Sequence, residues 1–115
     1  MRPVTVSVGP NAVGGTASPL VRLDEWAPGL VGIQVNVSGT VNYTVQSTMD
    51  DPNSPTNPVA AGSMTWVNSN DTNVVNATTT QQTNFMFAPI FVRVLLNSGT
   101  GTVTMTVVQY SNGPR

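Results

Sequence analysis

The chain has 115 residues, with only 8% charged side chains, a net charge of −1, no cysteine and no histidine. Length gives one domain with a modest core, residues 1–115. Four arginines without a lysine or a basic run leave no electrostatic footprint for nucleic acid or for an anionic membrane surface. The absence of cysteine excludes disulfides and thiolate metal sites, and the absence of histidine removes the commonest general base and zinc ligand.

The strand signals come in chain order. Residues 3–8 alternate, with Val4, Val6 and Val8 on one face. The Gly/Pro-rich stretch behind them leaves residues 1–18 open to two readings. They form either an extended N-terminal arm that adds a strand to a neighbouring subunit, or a first strand of the chain's own sandwich followed by a long loop. Residues 20–23 are short, with Leu20 and Arg22 opposite Val21 and Leu23. Residues 31–37 place Val31, Ile33, Val35 and Val37 together, and residues 41–46 do so with Val41, Tyr43 and Val45.

Residues 64–67 carry Met64 and Trp66, read as core, and residues 84–87 carry Phe85 and Phe87. Residues 91–96 and 102–109 complete the series. Glycine and proline, 10 and 9 in number, interrupt nearly every stretch long enough for an amphipathic helix. The sequence therefore predicts an all-β fold without substantial helix. It is an antiparallel β-sandwich, jelly-roll-like, of about seven to eight short strands.

Parity sets an expected register. Segments 31–46 and 92–109 each read as strand, Ser-Gly-Thr turn, strand. A three-residue loop at 38–40 pairs Val37 with Val41, Val35 with Tyr43 and Ile33 with Val45 as one hairpin. A four-residue loop at 98–101 pairs Leu96 with Val103, Val94 with Met105 and Val92 with Val107 as a second. The outer face of the second hairpin, with Phe91, Arg93 and Leu95, is less polar than a free surface strand and suggests a further contact. Residues 50–62 and 68–83 read as surface loops.

Candidate chemistry is sparse. Asp50 and Asp51 stand before a proline in a loop, where aspartate ordinarily caps backbone; a carboxylate hydrolase would have to be built from these and Asp71. No spaced acidic pattern resembles a calcium loop, and no lysine or histidine stands ready to activate a hydroxyl. The expectation is no enzyme, no cofactor and no metal. Trp26, between Glu25 and Pro28, is a candidate sugar platform or interface anchor, or else a ring folded over one end of the sandwich. The four Asn-x-Ser/Thr acceptor patterns at Asn36, Asn42, Asn70 and Asn76 are what chance gives in so Asn/Thr-rich a chain. No signal-peptide-like apolar region opens the sequence and no apolar run approaches a membrane span, so synthesis in a cytoplasm without export is expected.

The run from Val37 to Pro52, above all Thr40-Val-Asn-Tyr-Thr-Val-Gln-Ser-Thr-Met-Asp-Asp-Pro52, with the later Ser98-Gly-Thr-Gly-Thr-Val-Thr-Met-Thr-Val107, resembles small virion proteins of tailed bacteriophages. The resemblance covers most of the chain from about residue 19. In size and all-β character the chain also resembles the head decoration, or cement, proteins of short-tailed phages. That resemblance implies a jelly-roll-like module on the capsid surface, made in the host cytoplasm, bound to the major capsid protein and to itself as a homodimer or homotrimer. It implies no catalytic residues. The residues offer Val4, Val6, Val8, Trp26, Phe91 and Leu95 as candidate contacts. The alternative is a tail or receptor-binding module that recognises a surface glycan through Trp26 and the Asn/Thr-rich loops.

Overall fold

The computed structural model describes residues 3–10, 14–23, 31–85 and 89–109, with Ala61 by its backbone alone. Within them the chain forms β1 (Val4–Val8), β2 (Thr16–Ala17), β3 (Val21–Arg22), β4 (Val31–Ser38), β5 (Val41–Thr48), β6 (Val67–Asn68), β7 (Gln81–Phe85), β8 (Phe91–Gly99) and β9 (Thr102–Gln109). Two three-residue 3-10 turns, Ala61–Ser63 and Thr72–Val74, are the described helical elements.

The strands make two antiparallel sheets. Sheet A runs β1-β9-β4-β7; sheet B runs β2-β8-β5-β6, with β3 also on β8. Strands β2 and β3 lie end to end along one edge of β8, at Leu96–Leu95 and at Val92–Phe91. Proline lacks the N–H that would continue the ladder, and Pro19 falls in the gap. Ser18 closes it by another route: its N–H donates to the Val94 carbonyl (2.8 Å), and its Oγ accepts the Val94 N–H (3.0 Å). Counted as one broken strand, β2/β3 gives each sheet four positions. The resulting order is that of a jelly roll, in which successive strands alternate between two packed sheets except for β5 and β6, which pair within sheet B.

The expected hairpins are corrected. Strand β4 does not pair with β5, nor β8 with β9; each pair is an arch whose strands lie in opposite sheets. Val37 stands opposite Val103, Val35 opposite Met105 and Ile33 opposite Val107. Tyr43 stands opposite Leu96, and Val45 opposite Val94. Alternation decides which side chains turn inward, but hairpin and arch turn the same ones inward. A hairpin would leave one apolar face in need of a second layer, whereas an arch supplies both layers at once. Two arches laid across one another form the central pair of each sheet.

Glycine makes that crossing possible. The Gly101 N–H donates to the Thr40 carbonyl at 3.0 Å. A Cβ on Gly101 would collide with the Ser38 carbonyl oxygen and come within 2.9 Å of Val41 Cγ1. At Gly99, φ is +109° and a Cβ would collide with the Thr40 carbonyl oxygen. The extra residue of the second repeat is also placed differently from the expectation. It is absorbed by a bulge in which Asn42 faces Ser98 and Tyr43 faces Leu96, leaving Asn97 unpaired in the ladder. The Asn97 amide nitrogen then reaches Asn42 Oδ1 (2.9 Å), Thr44 Oγ1 (2.9 Å) and Asn76 Oδ1 (3.2 Å).

The core lies between the sheets and is built on valine. Val31, Ile33 and Val35 of β4 and Val103, Met105 and Val107 of β9 face Val41, Tyr43 and Val45 of β5 and Val92, Val94 and Leu96 of β8. Tyr43 is fully buried, and its hydroxyl donates to the Thr79 carbonyl at 2.7 Å. Burial pushes the phenol pKa up, which keeps it a neutral donor.

Candidate interaction surfaces

The outer face of sheet B carries two of the sequence-predicted contacts, and the chain itself occupies much of it. The Arg22 guanidinium lies 5.3 Å from the Phe91 ring centroid. It also donates to both Asp51 carboxylate oxygens, at 3.3 and 3.1 Å. Phe91 is therefore half-buried under an ion pair that anchors the start of the long loop. Leu95 is half-buried between Ala17 of β2 and Thr44 of β5. Thr44 and Thr48 on the same face are almost fully buried.

Trp66 is a correction. It is not in the core, and residues 64–66 are not strand. Its ring stacks on Arg93, 4.1 Å from the guanidinium carbon, while Arg93 Nε donates to Gln46 Oε1 at 2.9 Å. Burial there lowers the Arg93 pKa. An alternating Met-x-Trp pattern reads as inward from sequence, but here only Met64 is buried. The tryptophan instead lies against the guanidinium on the outer face of sheet B, a cation–π contact. The contact suggested for the outer side of β8 is thus made in part by the chain's own 50–66 loop.

The outer face of sheet A is different. Across it run Thr5 and Ser7 of β1, Thr104, Thr106 and Val108 of β9, Gly32, Gln34 and Asn36 of β4, and Gln82 and Asn84 of β7. None is charged. Gln82 Nε2 donates to Gln34 Oε1 (2.8 Å), and Gln34 Nε2 to Asn36 Oδ1 (3.2 Å), a relay of amides across two strands. Gly32, flanked by Asn84 and Val108, leaves a depression of about 340 Å³ lined also by Gln34, Gln82 and Thr106. Alternation of these polar residues with the core valines was legible, but their convergence from four strands of sheet A was not.

The remaining predicted contacts lie on β1, which pairs with β9 of its own chain from Val4–Val107 to Val8–Val103. Val8 is buried in the core, Val6 is half-buried and Val4 is 39% exposed. Residues 16–18, the end of the suggested arm, run along β8. Trp26 and Phe87 lie outside the described residues. A spot missed in the sequence pairs Met49 and Val67, 60% and 57% exposed, in a shallow hollow with Phe85 at the end of β5.

The described carboxylates, Asp50, Asp51 and Asp71, are tied to backbone. Asp50 Oδ2 accepts the Thr65 N–H at 2.6 Å. Asp51 Oδ1 accepts the Asn53 N–H at 2.9 Å, and the Arg22 hydrogen bonds, with that one, lower its pKa. Asp71 caps the 72–74 turn through the Asn73 N–H (2.9 Å) and accepts from Thr83 Oγ1 (2.8 Å), both of which lower its pKa. Held as acceptors in this way, these groups brace loops. Among the described residues no three acidic, histidine or cysteine side chains gather as a metal-holding group.

No protein-family model matches the chain, and no curated protein is similar to it. Among the described residues, fold and surface define a class: a jelly-roll sandwich with one outer face partly covered by the chain's own 50–66 loop and one uncharged outer face.

Proposed function

We propose that this chain is a non-catalytic structural protein of a bacteriophage virion, a capsid decoration or cement protein that binds the outer shell and strengthens contacts between capsomers. The observation that carries the reading beyond the resemblance in residues 37–52 is the open face of sheet A. It offers a broad, rigid, uncharged array of hydroxyls and amides on a valine core. Such a surface buries against a protein partner without the cost of desolvating charge. Each contact is modest, and a shell that repeats the same site many times multiplies it by avidity. Jelly rolls serve viral capsids and lectins alike, so the fold by itself does not choose between partners.

Fractionation of purified virions tests the reading. The chain is expected to co-migrate with the major capsid protein in isolated heads, at a stoichiometry set by capsid symmetry. Recovery only in isolated tails or in free cytosol overturns it.

A second reading, a tail or receptor-binding module for a neutral surface glycan, draws on the depression at Gly32. Amide and hydroxyl groups of Gln34, Gln82 and Thr106 line it, as recognition of sugar hydroxyls requires. Binding on a glycan array that is lost in Gln34→Ala or Trp26→Ala favours this reading. An absence of binding by the folded chain counts against it.

A further inference from the structure

Sheet edges present unpaired backbone donors and acceptors, and soluble proteins ordinarily blunt them with breaks, prolines, bulges or charge. Most of the edges here are blunted. The β2/β3 edge is broken at Ser18-Pro19, and β6 is two residues long. Beside β7 the 72–74 turn is fastened through Asp71 to Thr83, which places a carboxylate next to that edge.

Strand β1 carries none of these devices. Its five residues, Val-Thr-Val-Ser-Val, include no charge, no proline and no glycine, and among the described residues it is hydrogen-bonded only to β9. Its inward-facing side also emerges from the sandwich, passing from buried Val8 through half-buried Val6 to exposed Val4.

We propose that the chain self-associates through β1, as a two-fold dimer in which β1 pairs antiparallel with β1 of a second copy. Sheet A then continues across the axis as one eight-stranded sheet. Parity narrows the register to the residue-centred choices, of which we take the one at Thr5. Side chains alternate with period 2, so only a two-fold centred on a residue keeps the valines of both copies on the inner face. Centring on Thr5 sets Val4 against Val6 of the partner copy and Thr5 against its own counterpart. This covers the valine that the sandwich leaves exposed and joins the uncharged outer faces into one.

An isologous contact closes on itself, which caps the edge and stops further addition. Two short strands bury less than the roughly 1,200 Å² of a standard stable interface. The dimer is therefore weak in solution, at micromolar or higher concentration, and becomes effective where copies are held close together. The inference does not depend on the virion reading.

Sedimentation velocity over a wide concentration range tests it on the full chain. Reversible dimerisation is expected, weakened at least tenfold by Val4→Lys and by Thr5→Lys, and unchanged by Gln82→Lys on the opposite edge of the sheet. Far-UV circular dichroism shows that each variant keeps its fold, and Thr5→Lys, on the outer face, serves if Val4→Lys does not. Because the chain has no cysteine, Thr5→Cys is expected to oxidise to a covalent dimer and Gln82→Cys to remain monomeric. A wild-type chain that stays monomeric at millimolar concentration overturns the proposal. So does a trimer, or a dimer indifferent to both β1 lysines.

Discussion

Replacing Gly101 by alanine separates the crossed arches from the two hairpins that the repeat suggests. In the arch arrangement the new methyl group meets the Ser38 carbonyl oxygen, with Val41 Cγ1 at 2.9 Å and the Gly39 carbonyl carbon at 3.0 Å. Two of these three are backbone, so the 38–40 link must move as a unit and carry the ends of β4 and β5 with it. Forced overpacking of this kind costs about 1–3 kcal/mol, a fall in Tm of roughly 4–15 °C for a domain of this size. Gly99→Ala meets Thr40 and Val41 in the same way, and its φ of +109° adds about 1–2 kcal/mol of backbone strain. Gly62→Ala is the control: nothing lies within 4 Å of its Cβ, and the change should stay within about 0.5 kcal/mol.

Urea unfolding followed by far-UV circular dichroism ranks the three. The expected order of destabilisation is Gly99→Ala, then Gly101→Ala, then Gly62→Ala. In a hairpin arrangement, Gly101 would sit in its own loop with nothing from 38–41 to meet. A Gly101→Ala variant as stable as Gly62→Ala would therefore refute the crossing.

Three further outcomes follow from the same structure. Asn36→Cys/Thr104→Cys, on residues directly opposite in sheet A, should form an intramolecular disulfide readable by mass under denaturing conditions. Asn36→Cys/Asn42→Cys, neighbours only in a hairpin, should not. Tyr43→Phe removes the 2.7 Å bond to the Thr79 carbonyl and should lower stability by about 1 kcal/mol with unchanged secondary structure; a neutral result would mean the hydroxyl is not buried as described. For pH, the native state holds Asp51 and Asp71 below their ordinary pKa. Their contribution is full above the unfolded value of about 3.9 and is lost as pH falls through the lower folded value. The deficit of Asp51→Asn/Asp71→Asn measured at pH 7 should therefore shrink below about pH 4. A deficit unchanged in strong acid would contradict the assignment.

The inward faces were legible because alternation depends only on the local pleat. Ile33, Val35, Tyr43, Val45, Val92, Val94, Val103 and Met105 are all buried, as their spacing requires. Partners were not legible, because pairing β4 with β9 joins residues 64 (Ser38 and Thr102) to 78 (Val31 and Gln109) apart and no local pattern records which distant strand lies alongside. Ser-Gly-Thr closes a hairpin or turns a corner equally well, and the choice is made by the second layer, not by the turn. Trp66 misled for a related reason: its partner, Arg93, arrives from another strand. The hollow at Gly32 arises only where Asn84 and Val108 flank a residue without a side chain. Val4, Val6 and Val8 make one stripe in the sequence, but the depth of the sandwich grades them from exposed to buried along the edge strand.

Placement of the chain in a reconstruction of the purified phage particle tests the functional account most directly. The account predicts density for the jelly roll on the outer surface of the head, in contact with the major capsid protein across neighbouring capsomers. Heads without that density, or the same sandwich found only at the tail against a host glycan, would contradict it.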